Sequence, residues 1–251
     1  GTVTITTASS TGLDLTGTGG TGINNLVINH SSCTGNFEGA VSLAGDLTIT
    51  AGTFKANTPA SDTLTVAGDV SVTGTLGNAN LAHDQNYSFA SLTIESGGTY
   101  NATSGTTTFA TADTHRAGYG GQPSALEVKS GGTFTHNKGT VKLTSVYDQD
   151  IEMDGTGTLY NLTFNKSDND VIHSSSLVIE NNLDVTLAAG HSLRPSSGSN
   201  TVTVYGNTYL TTGNIGDTTQ YTGTNNWGLV TINSGEFILS TGTNNVSGIR
   251  N

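Results

Sequence analysis

The sequence has a single cysteine, Cys33, so no disulfide can close within the chain. In SSCTGN it reads as a small buried residue. Three prolines, one methionine and one tryptophan occur in 251 residues. Charge is also scarce. Only 11% of residues are charged, and eight Lys and Arg face nineteen Asp and Glu, for a net −11. The basic residues form no cluster, which argues against a grip on a nucleic-acid backbone or on an anionic membrane surface. No apolar run approaches the roughly 18 residues a spanning helix needs. Apolar residues make up 33% of the chain, too few for a thick globular core. The opening GTVTITT already reads as strand, so a mature form or a fragment of a longer chain is expected.

What the chain does hold is 45 threonines and 34 glycines. Threonine and the β-branched aliphatics suit a pleated, half-buried surface. No apolar face with helical spacing extends beyond two turns, whereas strand alternation is everywhere. Leu47-Thr48-Ile49, Leu64-Thr65-Val66, Leu92-Thr93-Ile94, Leu126-Glu127-Val128, Leu162-Thr163-Phe164, Leu177-Val178-Ile179 and Val230-Thr231-Ile232 share one form. Their first and third residues point the same way, into a core.

Longer phrases recur around these triplets. SGGTYNATSGTTTF, from Ser96, returns as SGGTFTHNKGTVKL, from Ser130. LTITAGTF, LTIESGGTY, LEVKSGGTF and VTINSGEF each run strand, small turn, then an aromatic leading a second strand. LAGDLTI, VAGDVSV and VYGNTYL place Gly-Asp or Gly-Asn between two short strands, where both residues would tolerate a left-handed corner. Repeats this short cannot bury their own apolar face and must stack on one another. The expectation is an all-β, single-stranded right-handed parallel β-helix filling residues 1–251 as one domain. At roughly 20 residues per coil and about 4.8 Å per layer it would extend on the order of 60 Å. The alternative is an antiparallel sandwich or jelly roll. Hairpin dipeptides are rare, Asp154-Gly155 being the one Asn-Gly or Asp-Gly pair, which weighs against it. Residues 78–88 and 111–124 lack alternation and read as loop insertions.

The phrases GGTFTHNKGTVKL, TLYNLTFNKS, GDLTITAGTF and TVTVYGN resemble repeats in large bacterial and phage surface proteins. Those repeats are assigned to right-handed parallel β-helices on adhesins, surface layers and virion fibres. The resemblance covers about residues 43–232. It implies an extracellular setting on a cell or virion surface, and it carries no shared catalytic motif.

Candidate chemistry lies in four places. Asp148, Asp150, Glu152 and Asp154 alternate along YDQDIEMDG, a spacing that puts four carboxylates on one strand face. Clustered carboxylate oxygens suit Ca²⁺, and a solvated acidic face is the plainer expectation, so no obligatory cofactor is expected. Asp168 and Asp170 in KSDNDV form a weaker version of the same idea. His115, Arg116 and Tyr119 in the second loop, and His83 and Tyr87 in the first, could contact a glycan or a receptor protein. Trp227 could be a sugar platform or a core residue. His30, His136, His173 and His191 show no ligand spacing. The expected role is a structural or adhesive module, a scaffold that presents loops and self-associates by coil stacking, without enzymatic activity. The alternative is a polysaccharide lyase or hydrolase on the same fold, which needs paired carboxylates across a cleft.

Overall fold

The computed structural model describes the chain apart from residues 9–14, 17–22, 58–61, 80–83, 111–123, 198, 217–221 and 239–240, and gives Leu15–Thr16 by backbone only. Among the described residues there is no helix, and 24 strands join into one continuous hydrogen-bonded ladder. Every strand pairing is parallel, and the strands wind into a β-solenoid of about nine turns. The antiparallel alternative is therefore set aside.

The register shows why the sequence repeats. Tyr100 stacks on Phe134, Thr107 on Val141 and Leu92 on Leu126. The two SGGT phrases, thirty-four positions apart, are the same stretch of two successive coils. Elsewhere the step is shorter: Leu26 meets Leu47, Val70 meets Leu92, Ile151 meets His173, and Leu183 meets Thr208. The usual coil thus takes 19 to 25 residues, and the long one holds residues 111–123. The pitch mostly exceeds the expected 20 residues and the turns are fewer. About nine layers at about 4.8 Å give a stack of roughly 45 Å rather than 60 Å.

The core is a narrow column between the walls. Leu26, Leu47, Val70, Leu92, Leu126 and Ile151 form one buried row, and Phe54, Leu76, Tyr100 and Phe134 another. Tyr100 and Phe134 have ring centroids 5.7 Å apart, Phe37 and Phe54 5.1 Å. Burying each such side chain stabilises the fold by about 1.5–3 kcal/mol. Because the column is one residue thick, each coil depends on the coils above and below it.

The corners correct one expectation. Gly45, Gly68 and Gly206 in the Gly-Asp and Gly-Asn phrases do not have positive φ. A Cβ at Gly68 would lie 2.1 Å from Asp46 Oδ1, and one at Gly206 2.2 Å from the Asn181 carbonyl oxygen. These glycines are required because the neighbouring coil passes too close for a side chain. The acidic or amide partner has its own reason. Asp46 N–H donates to Asn25 Oδ1 (2.9 Å), and Asp69 N–H donates to Asp46 Oδ1 (3.0 Å). Ser91 Oγ donates to Asp69 Oδ1 (2.6 Å) and Asn207 N–H to Asn182 Oδ1 (3.2 Å). Side-chain oxygens thus satisfy backbone donors where the strand ladder breaks at the bend.

Candidate functional site

The acidic strand keeps its four carboxylates off the buried positions and ties Asp148 and Asp150 to a neighbouring coil. In strand Gln149–Met153, Gln149 and Ile151 turn inward while Asp150 and Glu152 face out. Asp148 precedes the strand, and its Oδ1 accepts the Asp170 N–H at 2.9 Å. Asp154 follows the strand. Glu127 and Glu152 are paired in register on adjacent coils, with Asp150 beside them and Asp154 hydrogen-bonded to Glu152. Thr93 Oγ1 donates to Glu127 Oε2 at 3.2 Å. Ser174 Oγ donates to Asp150 Oδ2, while Asp150 Oδ1 is buried without a hydrogen bond. Burial pushes the Asp150 carboxyl up to about 6. Glu152 rises to about 7, first through burial, then through Asp154, Glu127 and Asp150. Mutual repulsion in a half-dry patch makes the proton a stabilising guest. Among the described residues no three His, Cys, Asp or Glu side chains converge as metal ligands.

Two proposed contact residues prove to be core. Tyr87 opens strand Tyr87–Ile94 and is 2% exposed, its ring 6.0 Å from both Phe37 and Phe89. Burial raises its hydroxyl pKa. Polarity in NANLAHDQNYS hid a strand start, so the first insertion ends before Tyr87. Trp227 is 5% exposed, packed edge-on against Phe237 at 5.1 Å between Val204 and Val246. It fills the column and offers no sugar an open face. His83, His115, Arg116 and Tyr119 lie outside the described residues.

A charged cluster around Asp168 and Asp170 spans neighbouring coils. Arg194 Nε donates to Asp170 Oδ2 (2.8 Å), and Ser192 N–H to Asp170 Oδ1 (2.8 Å). His191 sits 3.2 Å from Asp168 and 3.5 Å from Asp170. Lys166 is buried, and its Nζ donates to the Tyr147 carbonyl and to Gln149 Oε1 (3.4 Å). Burial lowers the Lys166 pKa to about 8 against the opposing pull of Asp148, Asp170 and Asp168. The residues Asp170 and Arg194 are 24 apart in sequence. Only the coil pitch reveals that they are neighbours.

A second outward cluster sits where Leu159, Ile179 and Val204 stack. His136 lies flat on Tyr160 with ring centroids 5.3 Å apart, and its Nε2 is 3.2 Å from Glu180 Oε2. Thr158 Oγ1 donates to Glu180 Oε1 at 2.7 Å. That bond first, and His136 second, hold the Glu180 carboxyl below its usual pKa. One coil further, Tyr205 is 72% exposed.

No protein-family model, curated protein or solved structure matches the chain.

Proposed function

We propose that the chain is a structural and adhesive module, a β-helical section of a cell-surface or virion fibre that displays contact residues on its sides. The observation that supports this reading is the stacking of near-identical phrases in register through about nine turns, with corner ladders of Asn and Asp locking coil to coil. Nearly all the chain's apolar side chains go into holding coils together. Val3 and Ile249, in the first and last strands, remain 37% and 55% exposed, and a further coil from this chain or another copy would cover them. On the proposed reading, a second copy stacks its coil there. In micrographs the purified protein is expected to form end-to-end filaments, and incubation with bacterial polysaccharides is expected to leave their chain length unchanged. Depolymerisation would overturn the non-enzymatic part of the reading.

One observation favours the second reading, a glycan hydrolase. Glu152, held protonated up to about pH 7 beside Asp150 and Glu127, has the property a general acid needs. The polysaccharide assay separates the two, with Glu152→Gln as the discriminating variant.

A further inference from the structure

We propose that Tyr160, Glu180 and Tyr205 form a binding strip for a straight, uncharged chain of β-linked pyranose sugars running along the solenoid axis. The proposal rests on the surface-module reading and names the ligand class that the module's flank would take.

The strip follows from the register. Leu159, Ile179, Val204 and Trp227 are stacked partners on four successive coils, with their side chains in the core. The next residue on the first three coils turns outward, giving the column Tyr160, Glu180, Tyr205, while on the fourth it is the buried Gly228. Most aromatic rings described in this chain are buried in the core, and Tyr205, at 72%, is the most exposed, ahead of Tyr147 at 53%. An exposed phenol ring has an apolar face and a polar tip, which suits the C–H face and hydroxyl rim of a pyranose. Tyr160 is held by its stack on His136, so little motion is lost when it is used as a platform.

Spacing selects the ligand. Two coil rises separate Tyr160 from Tyr205, about 10 Å at the usual strand separation. That is close to the length of two pyranose rings in a straight β-linked chain, where alternate rings present equivalent faces. Between the two tyrosines stands Glu180, an exposed carboxylate fixed by Thr158 and His136 and able to accept hydroxyl protons. A carboxylate in the strip, on a chain of net charge −11, disfavours an acidic glycan.

The column then opens into a depression. Gly228 must be glycine, because a Cβ there would fall 1.7 Å from the Gly206 carbonyl oxygen. Without a side chain above it, a hollow of about 530 Å³ forms between Tyr205, Asn226, Gly228 and Asn245, with Trp227 in its wall. Carboxamides rim the hollow: Asn245 Nδ2 donates to Asn226 Oδ1 (2.8 Å), and Asn226 Nδ2 donates to Thr203 Oγ1 (3.2 Å). Amides in such a ladder retain donor and acceptor capacity for sugar hydroxyls.

The only tryptophan lines this hollow, so its emission reports occupancy. The full chain would be titrated with cellohexaose and with chitohexaose, both straight β-1,4 chains, and with maltohexaose, whose α-links curve it. At least one straight hexamer is expected to shift Trp227 emission saturably, with maltohexaose at least about tenfold weaker. Tyr205→Ala and Tyr160→Ala should each weaken binding by about tenfold or more at an unchanged melting temperature. Tyr205→Ala is decisive, since that exposed ring is not needed for folding. If neither straight hexamer binds, if binding survives Tyr205→Ala, or if maltohexaose binds equally, the proposal is overturned. Shortened hexamers on chromatography would count against the scaffold reading alone and leave the strip in place.

Discussion

The two glycines of each SGGT corner do different jobs. Gly97 and Gly131 have φ of 83° and 86°, a backbone region costly for any residue with a Cβ. Nothing stands within 4 Å of a Cβ built on Gly97. Gly98 is not left-handed, but a Cβ there would lie 2.0 Å from the Val72 carbonyl oxygen of the coil beneath. Gly97→Ala should therefore cost about 1 kcal/mol of strain, and Gly98→Ala about 3 kcal/mol through coil displacement. Urea unfolding midpoints of the two variants check the order. His173 gives a second test at this scale. It occupies an aliphatic row between Ile151 and Pro195, fully buried, with Nδ1 2.9 Å from the Ser175 carbonyl. Burial lowers its pKa from 6.5 to about 4. The neutral ring's contribution is complete above pH 6.5 and is lost as pH falls toward 4, a loss of about 3 kcal/mol. Asp150 and Glu152 act oppositely: with pKa values raised to about 6 and 7, they add stability as pH falls through those values. Stability curves against pH should show His173→Leu abolishing the acid-side loss and Asp150→Asn flattening the opposing gain.

Among elements, the corner ladder matters as much as the strands it joins. Asn25, Asp46 and Asn182 each answer a backbone donor one coil up, so the ladder fixes register as well as closing the bend. Asp46→Ala strips the acceptor from the Asp69 N–H and should cost about 1 kcal/mol, whereas Asp46→Asn keeps the side-chain oxygen and should cost little. Thermal melting of the pair decides it. Strand identity was legible in the sequence because inward alternation survives locally: Leu47 and Ile49, or Leu162 and Phe164, need no knowledge of the fold. The ladder was legible as a phrase and misread as a mechanism. Gly-Asp looks the same whether the glycine supplies a left-handed turn or makes room for a neighbouring coil. Tyr87 failed for a related reason, since a polar approach masked the first residue of its strand. The acidic strand follows its sequence alternation at Gln149–Glu152, whereas the tie of Asp148 to the Asp170 N–H one coil away was not legible.

For the whole molecule, the coil pitch is the organising quantity. The one long step, Leu92 to Leu126, contains residues 111–123 between inward Phe109 and Ala125. Replacing that segment with a short Gly-Ser turn would return the coil to the common pitch and leave the inward Phe109 and Ala125 in place. The melting temperature of the shortened chain should stay within a few degrees of the parent, while any receptor contact made through His115, Arg116 or Tyr119 is lost. A large drop in melting temperature would mean that the segment helps support the core.

Composition and periodicity alone determined that this chain is all-β, that its strands stack like on like, and that no disulfide closes within it. These follow from local alternation, repeated phrases and a residue count. The tertiary structure decided everything that depends on which coil lies above which. It set the pitch of 19 to 25 residues, the reason for the corner glycines, the burial of Tyr87 and Trp227, and the meeting of Asp170 with Arg194. The alignment of Tyr160, Glu180 and Tyr205 belongs with these. In a parallel solenoid, neighbours in space are a coil apart in sequence. A variable coil length erases that spacing from the linear text until the register is known.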